Sequence, residues 1–371
     1  MTDYFLVNSY EIFTYIIAGF AGVYILSGYV FQYHSKNPLL WAGLAGFSGV
    51  GYYLVAYYKL HATHIFLNLR YFWGMLALGM ALLATQGLKQ ILVNIPKDHP
   101  QKQHLMTNYA VAVSTLFSLG ILIELPMNFL GMSFASQILI IALINTKVEI
   151  SALKYIIQVL TTIFGVLLLP EISDLFLRNS STTWTIFQFG FPGVCFGLSS
   201  YLLRFRKEDN LVFCFEIIAA SLFVAMIYAI VSQIFQITQD QLFIRADFFE
   251  RNLMTNILFL CSLGLVWMGK KFTRESLILT ALSLSGICVL RIIGFELMLY
   301  NPLWSRQMVG EYPLFNALIL AYGFPIIWIW ETSFAVPNEY QNERIKALYG
   351  ISFILFFTLI SLNASSGLKT I

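Results

Sequence analysis

Apolar stretches of 16 residues or more recur about every thirty residues from Ile12 to Leu362, with little chain between them. Roughly 20 apolar residues make a helix long enough to cross a ~30 Å hydrocarbon core. With 58% hydrophobic and 11% charged residues, the whole chain has this character, which marks a membrane protein rather than a soluble core. A spanning segment must satisfy its own backbone hydrogen bonds, so each stretch is read as a helix. Barrel strands would alternate in polarity over about ten residues, and nothing here alternates. The expectation is an all-α polytopic transmembrane bundle of about 12 spans. They are placed at approximately 12–33, 38–58, 71–88, 108–127, 129–145, 152–169, 183–203, 211–237, 253–268, 275–299, 314–333 and 345–362. Residues 1–371 read as a single integral membrane domain. The longest polar stretch, Asn94–Asn108, is too short to fold as a soluble one.

Orientation follows from the basic residues. Loops after odd-numbered spans hold Lys36, Lys89, Lys97, Lys102, Lys147, Lys154, Arg204, Arg206, Lys207, Lys270, Lys271, Arg274, Arg344 and Lys346. The opposite side holds half as many: Lys59, Arg70, Arg178, Arg245, Arg251, Arg306 and Lys369. Cytoplasmic loops are enriched in Lys and Arg, so the odd-numbered loops are expected inside and both termini outside, in a bacterial inner membrane. The net charge of +3 comes from these loops and implies no nucleic-acid partner.

Two segments resemble each other. The first runs Asp174-Leu-Phe-Leu-Arg-Asn179 and then Phe189-Gly-Phe-Pro192; the second runs Glu296-Leu-Met-Leu-Tyr-Asn301 and then Tyr322-Gly-Phe-Pro325. They lie four helices apart, and an even offset preserves orientation, as in a parallel repeat. The expected repeat units are 1–127, 128–240 and 241–371, the first without a Gly-Phe-Pro. Pro192 and Pro325 lack an N–H, and their rings displace the carbonyls of Gln188 and Ala321. Carbonyls freed in a membrane need a neighbouring helix, water or a ligand. A packing kink and a discontinuous helix forming a binding site are both compatible with that.

The same residues carry a family resemblance. Leu290-Arg-Ile-Ile-Gly-Phe-Glu-Leu-Met-Leu-Tyr-Asn-Pro-Leu303, Val309-Gly-Glu-Tyr-Pro-Leu-Phe-Asn316 and Ala321-Tyr-Gly-Phe-Pro325 follow in order, and Arg251-Asn-Leu-Met-Thr-Asn256 precedes them. The pattern resembles a large bacterial family of polytopic membrane proteins catalogued as domain of unknown function 2339. The likeness is clearest over residues 250–331. It implies fold and compartment, and no chemistry.

Ionisable groups inside spans cost about 2.5–3.5 kcal/mol each on insertion scales, so each needs an account. Arg291 and Glu296 lie five residues apart, about 140° around an ideal helix, which disfavours a direct pair. Either each pairs with a neighbouring helix as a structural lock, or both line an outward-facing pocket with Asp174, Asn179 and Asn301. Asn316, Tyr322 and Pro325 complete the candidate ligand-binding set. Glu124 is expected to reach lipid headgroups, and Glu216 to pair with the basic run Arg204–Asp209. Asp240–Arg251, which mixes acids, arginines and phenylalanines, is expected to lie at the outer interface as an amphipathic cap.

His61 and His64 have no histidine or cysteine partners nearby for a metal site, and no nucleotide-binding or nucleophile-elbow motif occurs. No cofactor, metal or catalytic residue is implied. The reading is a membrane protein that binds or transports a small solute or lipid-linked molecule, with membrane lipids as its surroundings. Two alternatives stand beside it: a membrane-embedded enzyme acting on an envelope lipid or glycan, and a non-catalytic envelope assembly protein.

Overall fold

A computed structural model describes residues 2–32, 34–61, 71–96, 99–148, 150, 152–177, 181–205, 209–235, 248–301, 317–336 and 343–367. Among the described residues the chain forms twelve helices and no strand. They are α1 Thr2–Phe31, α2 Pro38–Leu60, α3 Phe72–Asn94, α4 Lys102–Glu124, α5 Met127–Lys147, α6 Ala152–Leu177, α7 Thr182–Arg204, α8 Asp209–Ile234, α9 Phe248–Phe272, α10 Glu275–Leu299, α11 Ile319–Ala335 and α12 Glu343–Gly367. Ten of them are long and apolar enough to cross a membrane; Ile319–Ala335 and the Gly350–Leu362 part of α12 are shorter apolar segments. Each sequence-derived span falls on one of these helices in order. Large apolar side chains such as Leu82, Leu290, Phe334 and Phe353 are exposed, as a surface facing lipid requires.

The chain divides into two compact units, Met1–Leu167 and Leu168–Ile371, with the division inside α6. In the first, α1 packs along α2, α2 along α4, and α3 along α4. Without a hydrophobic drive between helices in lipid, close packing rests on small residues. Ala42, Ala45, Gly46 and Gly49 of α2 and Ala77 and Ala81 of α3 are all buried. A Cβ at Gly28 of α1 would lie 2.6 Å from the Trp41 carbonyl oxygen, so the two backbones nearly touch there.

Helix ends are closed by specific groups. The Gly74 N–H, in the first turn of α3, donates to Glu124 Oε1 at 2.7 Å, where the positive end of the helix dipole favours a carboxylate. Half-buried Glu124 is thus tied to the start of α3, where it had been expected to reach lipid headgroups. At the other end of α3, Lys102 donates from Nζ to the Leu92 carbonyl at 3.2 Å and to that of Ile95. The turn from α9 to α10 has Thr273 at φ 52, the left-handed position usually given to glycine.

In the second unit, α7 packs on α8, α9 on α10 and α11, and α11 on α12. Phe259, Val289, Ile292, Leu318, Tyr322 and Leu355 share one buried cluster across α9 to α12. Glu216 of α8 accepts from Arg204 and from the Ser276 hydroxyl, with Arg274 Nε 3.8 Å away. The basic partner expected for it is in place.

Candidate functional site

The polar residues Arg251, Asn252, Thr255 and Asn256 recur one turn apart and form one face of α9, each no more than 6% exposed. Buried polar groups in a membrane bundle must find partners on neighbouring helices or in their own backbone. Most do. Thr255 donates to the Arg251 carbonyl at 3.0 Å, and Asn252 Nδ2 to that of Phe248 at 2.7 Å.

At the centre, Arg251 Nε donates to Glu296 Oε1 of α10 at 3.1 Å, with both side chains 3% exposed. The guanidinium also lies 4.6 Å from the centre of the Tyr300 ring, a cation–π contact. Tyr322 of α11 donates from its hydroxyl to the Glu296 backbone carbonyl at 3.0 Å. Glu296 Oε2 and Asn252 Oδ1 remain buried and accept no hydrogen bond among the described residues.

The backbone around this centre is wound as π-helix over Ile292–Leu299 of α10 and Ile319–Gly323 of α11. Pro325 explains the second. The Phe324 N–H bonds to the Ile319 carbonyl, five residues back. The Leu320 carbonyl would therefore look to residue 325, which has no N–H to give. Asn256 Nδ2 supplies it, donating to Leu320 O at 2.8 Å and to Asn252 O at 2.7 Å, while Trp328 Nε1 donates to Asn256 Oδ1 at 2.9 Å. The carbonyl that Asn256 serves is Leu320, one residue before the Ala321 named from α-helical spacing, because the π turn shifts the register by one residue. In α7, Ile186–Gly190 has the same winding ahead of Phe191 and Pro192, with Phe191 N–H bonded to Ile186 O. π segments are rare and recur at functional sites.

The structure groups part of the expected set. Glu296 and Tyr322 are hydrogen-bonded and Pro325 lies just beyond the π turn, while the contact shown for buried Asn301 is to its own helix, with Leu297 O at 3.4 Å. Arg291 stands elsewhere: half-buried, with its guanidinium 5.9 Å from the Phe295 ring centre and beside Tyr228 of α8. Asp174 falls within α6, but its side chain lies outside the description, and Asn179 and Asn316 lie outside the described residues.

Sequence reasoning missed Arg251, Asn252 and Asn256 as site residues. Arg251 was expected at the outer interface; instead α9 begins at Phe248 and Arg251 is 2% exposed. The remainder of that segment, 240–247, lies outside the described residues. The signal was present: polar residues at i, i+1, i+4 and i+5 mark one helix face, adjoining an apolar run.

A family model described as "Predicted membrane protein (DUF2339)" matches residues 2–365. No curated protein and no solved structure matches the chain.

Proposed function

The chain belongs to this family of predicted membrane proteins, and from that premise we propose that it binds, and moves, a small solute or lipid-linked molecule at the Arg251–Glu296 centre between α9, α10 and α11. The observation that carries the reading is Glu296 Oε2. It is a carboxylate oxygen in an apolar bundle, with no donor among the described residues in a network otherwise largely satisfied. Leaving a buried acceptor unmatched costs about 1–3 kcal/mol, more when charged, and a ligand O–H or N–H would remove that cost. The two π segments beside it support the same reading, since backbone irregularity at membrane depth is tolerated where it lines protein or a ligand cavity.

The shared π winding ahead of Pro192 and Pro325 supports the parallel repeat. The excess of basic residues in odd-numbered loops supports a bacterial inner-membrane setting with both termini outside. An assembly role is the second reading, favoured by the closure of Arg251–Glu296 and Arg204–Glu216 as pairs. The enzyme alternative is weaker, because Arg291 and Glu296 do not share a site.

Native mass spectrometry of the protein from its own membranes, beside Glu296→Gln, tests the proposal. A defined molecule retained by the parent and lost by a folded variant is the expected result. Bulk phospholipid alone, unchanged by the substitution, would overturn it in favour of assembly.

A further inference from the structure

The first unit contains a cavity of about 260 Å³ lined by α1, α2, α3 and α4. Because α1 packs along α2 and α3 along α4, the opening is bounded by α1 on one side and α3 on the other. These helices run alternately up and down, so the ends of α1 and α3 share one level with the starts of α2 and α4. The cavity is graded along that direction. Its inner part is formed by Ile25, Gly49, Met80 and Leu116, and Tyr29, Gln86 and Tyr109 stand nearer the helix ends.

Gln32 adjoins this polar end through Tyr109, which lines it. Gln32 is 5% exposed, its Oε1 accepts from the Tyr109 hydroxyl at 3.0 Å, and its Nε2 has no hydrogen-bond partner among the described residues. Lys36, just past α1, and Lys89, three residues beyond Gln86 on α3, are exposed at the same end.

We propose that this groove seats one acyl chain of an anionic glycerophospholipid, with the phosphate or glycerol ester at Gln32. An N–H buried without an acceptor is costly, and a phosphate or ester oxygen supplies the acceptor. Basic side chains beside a gap between membrane helices attract anionic headgroups. A solute without a chain would leave the apolar part empty, and a zwitterionic lipid would bring no net negative charge for the lysines to attract. This site lies within the first unit, and the Arg251–Glu296 centre within the second.

The test is native mass spectrometry of the full chain equilibrated with equal amounts of phosphatidylglycerol and phosphatidylcholine of identical acyl chains. One phosphatidylglycerol per chain should be retained in preference. Retention should fall about tenfold, or ~1.4 kcal/mol, in Ala84→Phe, which fills the groove. Gln32→Glu should do the same, since it keeps the acceptor for Tyr109 and removes the donor. Lys89→Gln, at an exposed position where folding is not at stake, should weaken retention of phosphatidylglycerol alone. Equal retention of both lipids, or no change in Lys89→Gln, would overturn the proposal. So would loss of the bound lipid in Glu296→Gln, which should leave it in place whether or not that residue serves a ligand of its own.

Discussion

Arg251 and Glu296 show how one buried pair constrains its neighbours. Arg251→Met leaves the Glu296 carboxylate without its cation, and removing one member of a buried pair costs about 3–5 kcal/mol. Glu296→Gln should cost less, about 1–3 kcal/mol, because the amide oxygen still accepts from Arg251 Nε. Arg251→Met combined with Glu296→Leu should recover most of the loss. Denaturant unfolding in mixed micelles reads these variants together with Glu296→Leu alone, and simple additivity of the Arg251→Met and Glu296→Leu costs in the double variant would show that the two charges do not couple. Thr273, at φ 52, offers a prediction of opposite sign. Thr273→Gly relieves a left-handed backbone that a side chain disfavours. It should stabilise by about 1 kcal/mol, seen as a rise in Tm; a fall would mean that the Thr273 side chain holds the turn.

At the level of helices, Pro325 sets the winding of α11 and so decides which carbonyl Asn256 must serve. Pro325→Ala returns an N–H that can bond within the helix. The π segment Ile319–Gly323 should then relax toward α-helix. Amide exchange across it should slow, and Asn256 should lose its claim on Leu320 O. Unchanged exchange would assign the winding to packing instead of proline. Gly28 carries a different lesson. Its Cβ would lie 2.6 Å from Trp41 O and 2.7 Å from Ala45 N, whereas one at Gly19 on the same helix meets nothing within 4 Å. Gly28→Ala should therefore cost about 1–3 kcal/mol by forcing α1 off α2, with Gly19→Ala close to neutral. Equal thermal shifts in the two variants would contradict that packing.

For the whole molecule, the testable quantity is orientation. With the odd-numbered loops inside, a periplasm-dependent reporter fused after residue 371 should be active, and one fused after Lys207 inactive. The reverse pattern would invert the assignment and put Lys36 and Lys89 at the outer surface. The exposed apolar side chains on nearly every helix require a lipid-like surround in either orientation.

The sequence by itself determined the fold class, the helices and their order, because a ~30 Å apolar slab imposes length and composition on every spanning segment. It also singled out Glu296 and Pro325, since a charge or proline inside an apolar run is costly wherever it falls. Only the tertiary structure decided the partners. Arg251, 45 residues before Glu296, was hidden at the edge of a span, where a basic residue reads equally well as a loop charge. Glu124 read as a headgroup contact because nothing local shows that the start of α3 lies against it. The register of the freed carbonyl depended on a π turn, whose winding is set by Pro325 and by the neighbours packed around it. Pairing inside a bundle is a property of which faces meet, and helical periodicity describes a face without naming what lies opposite.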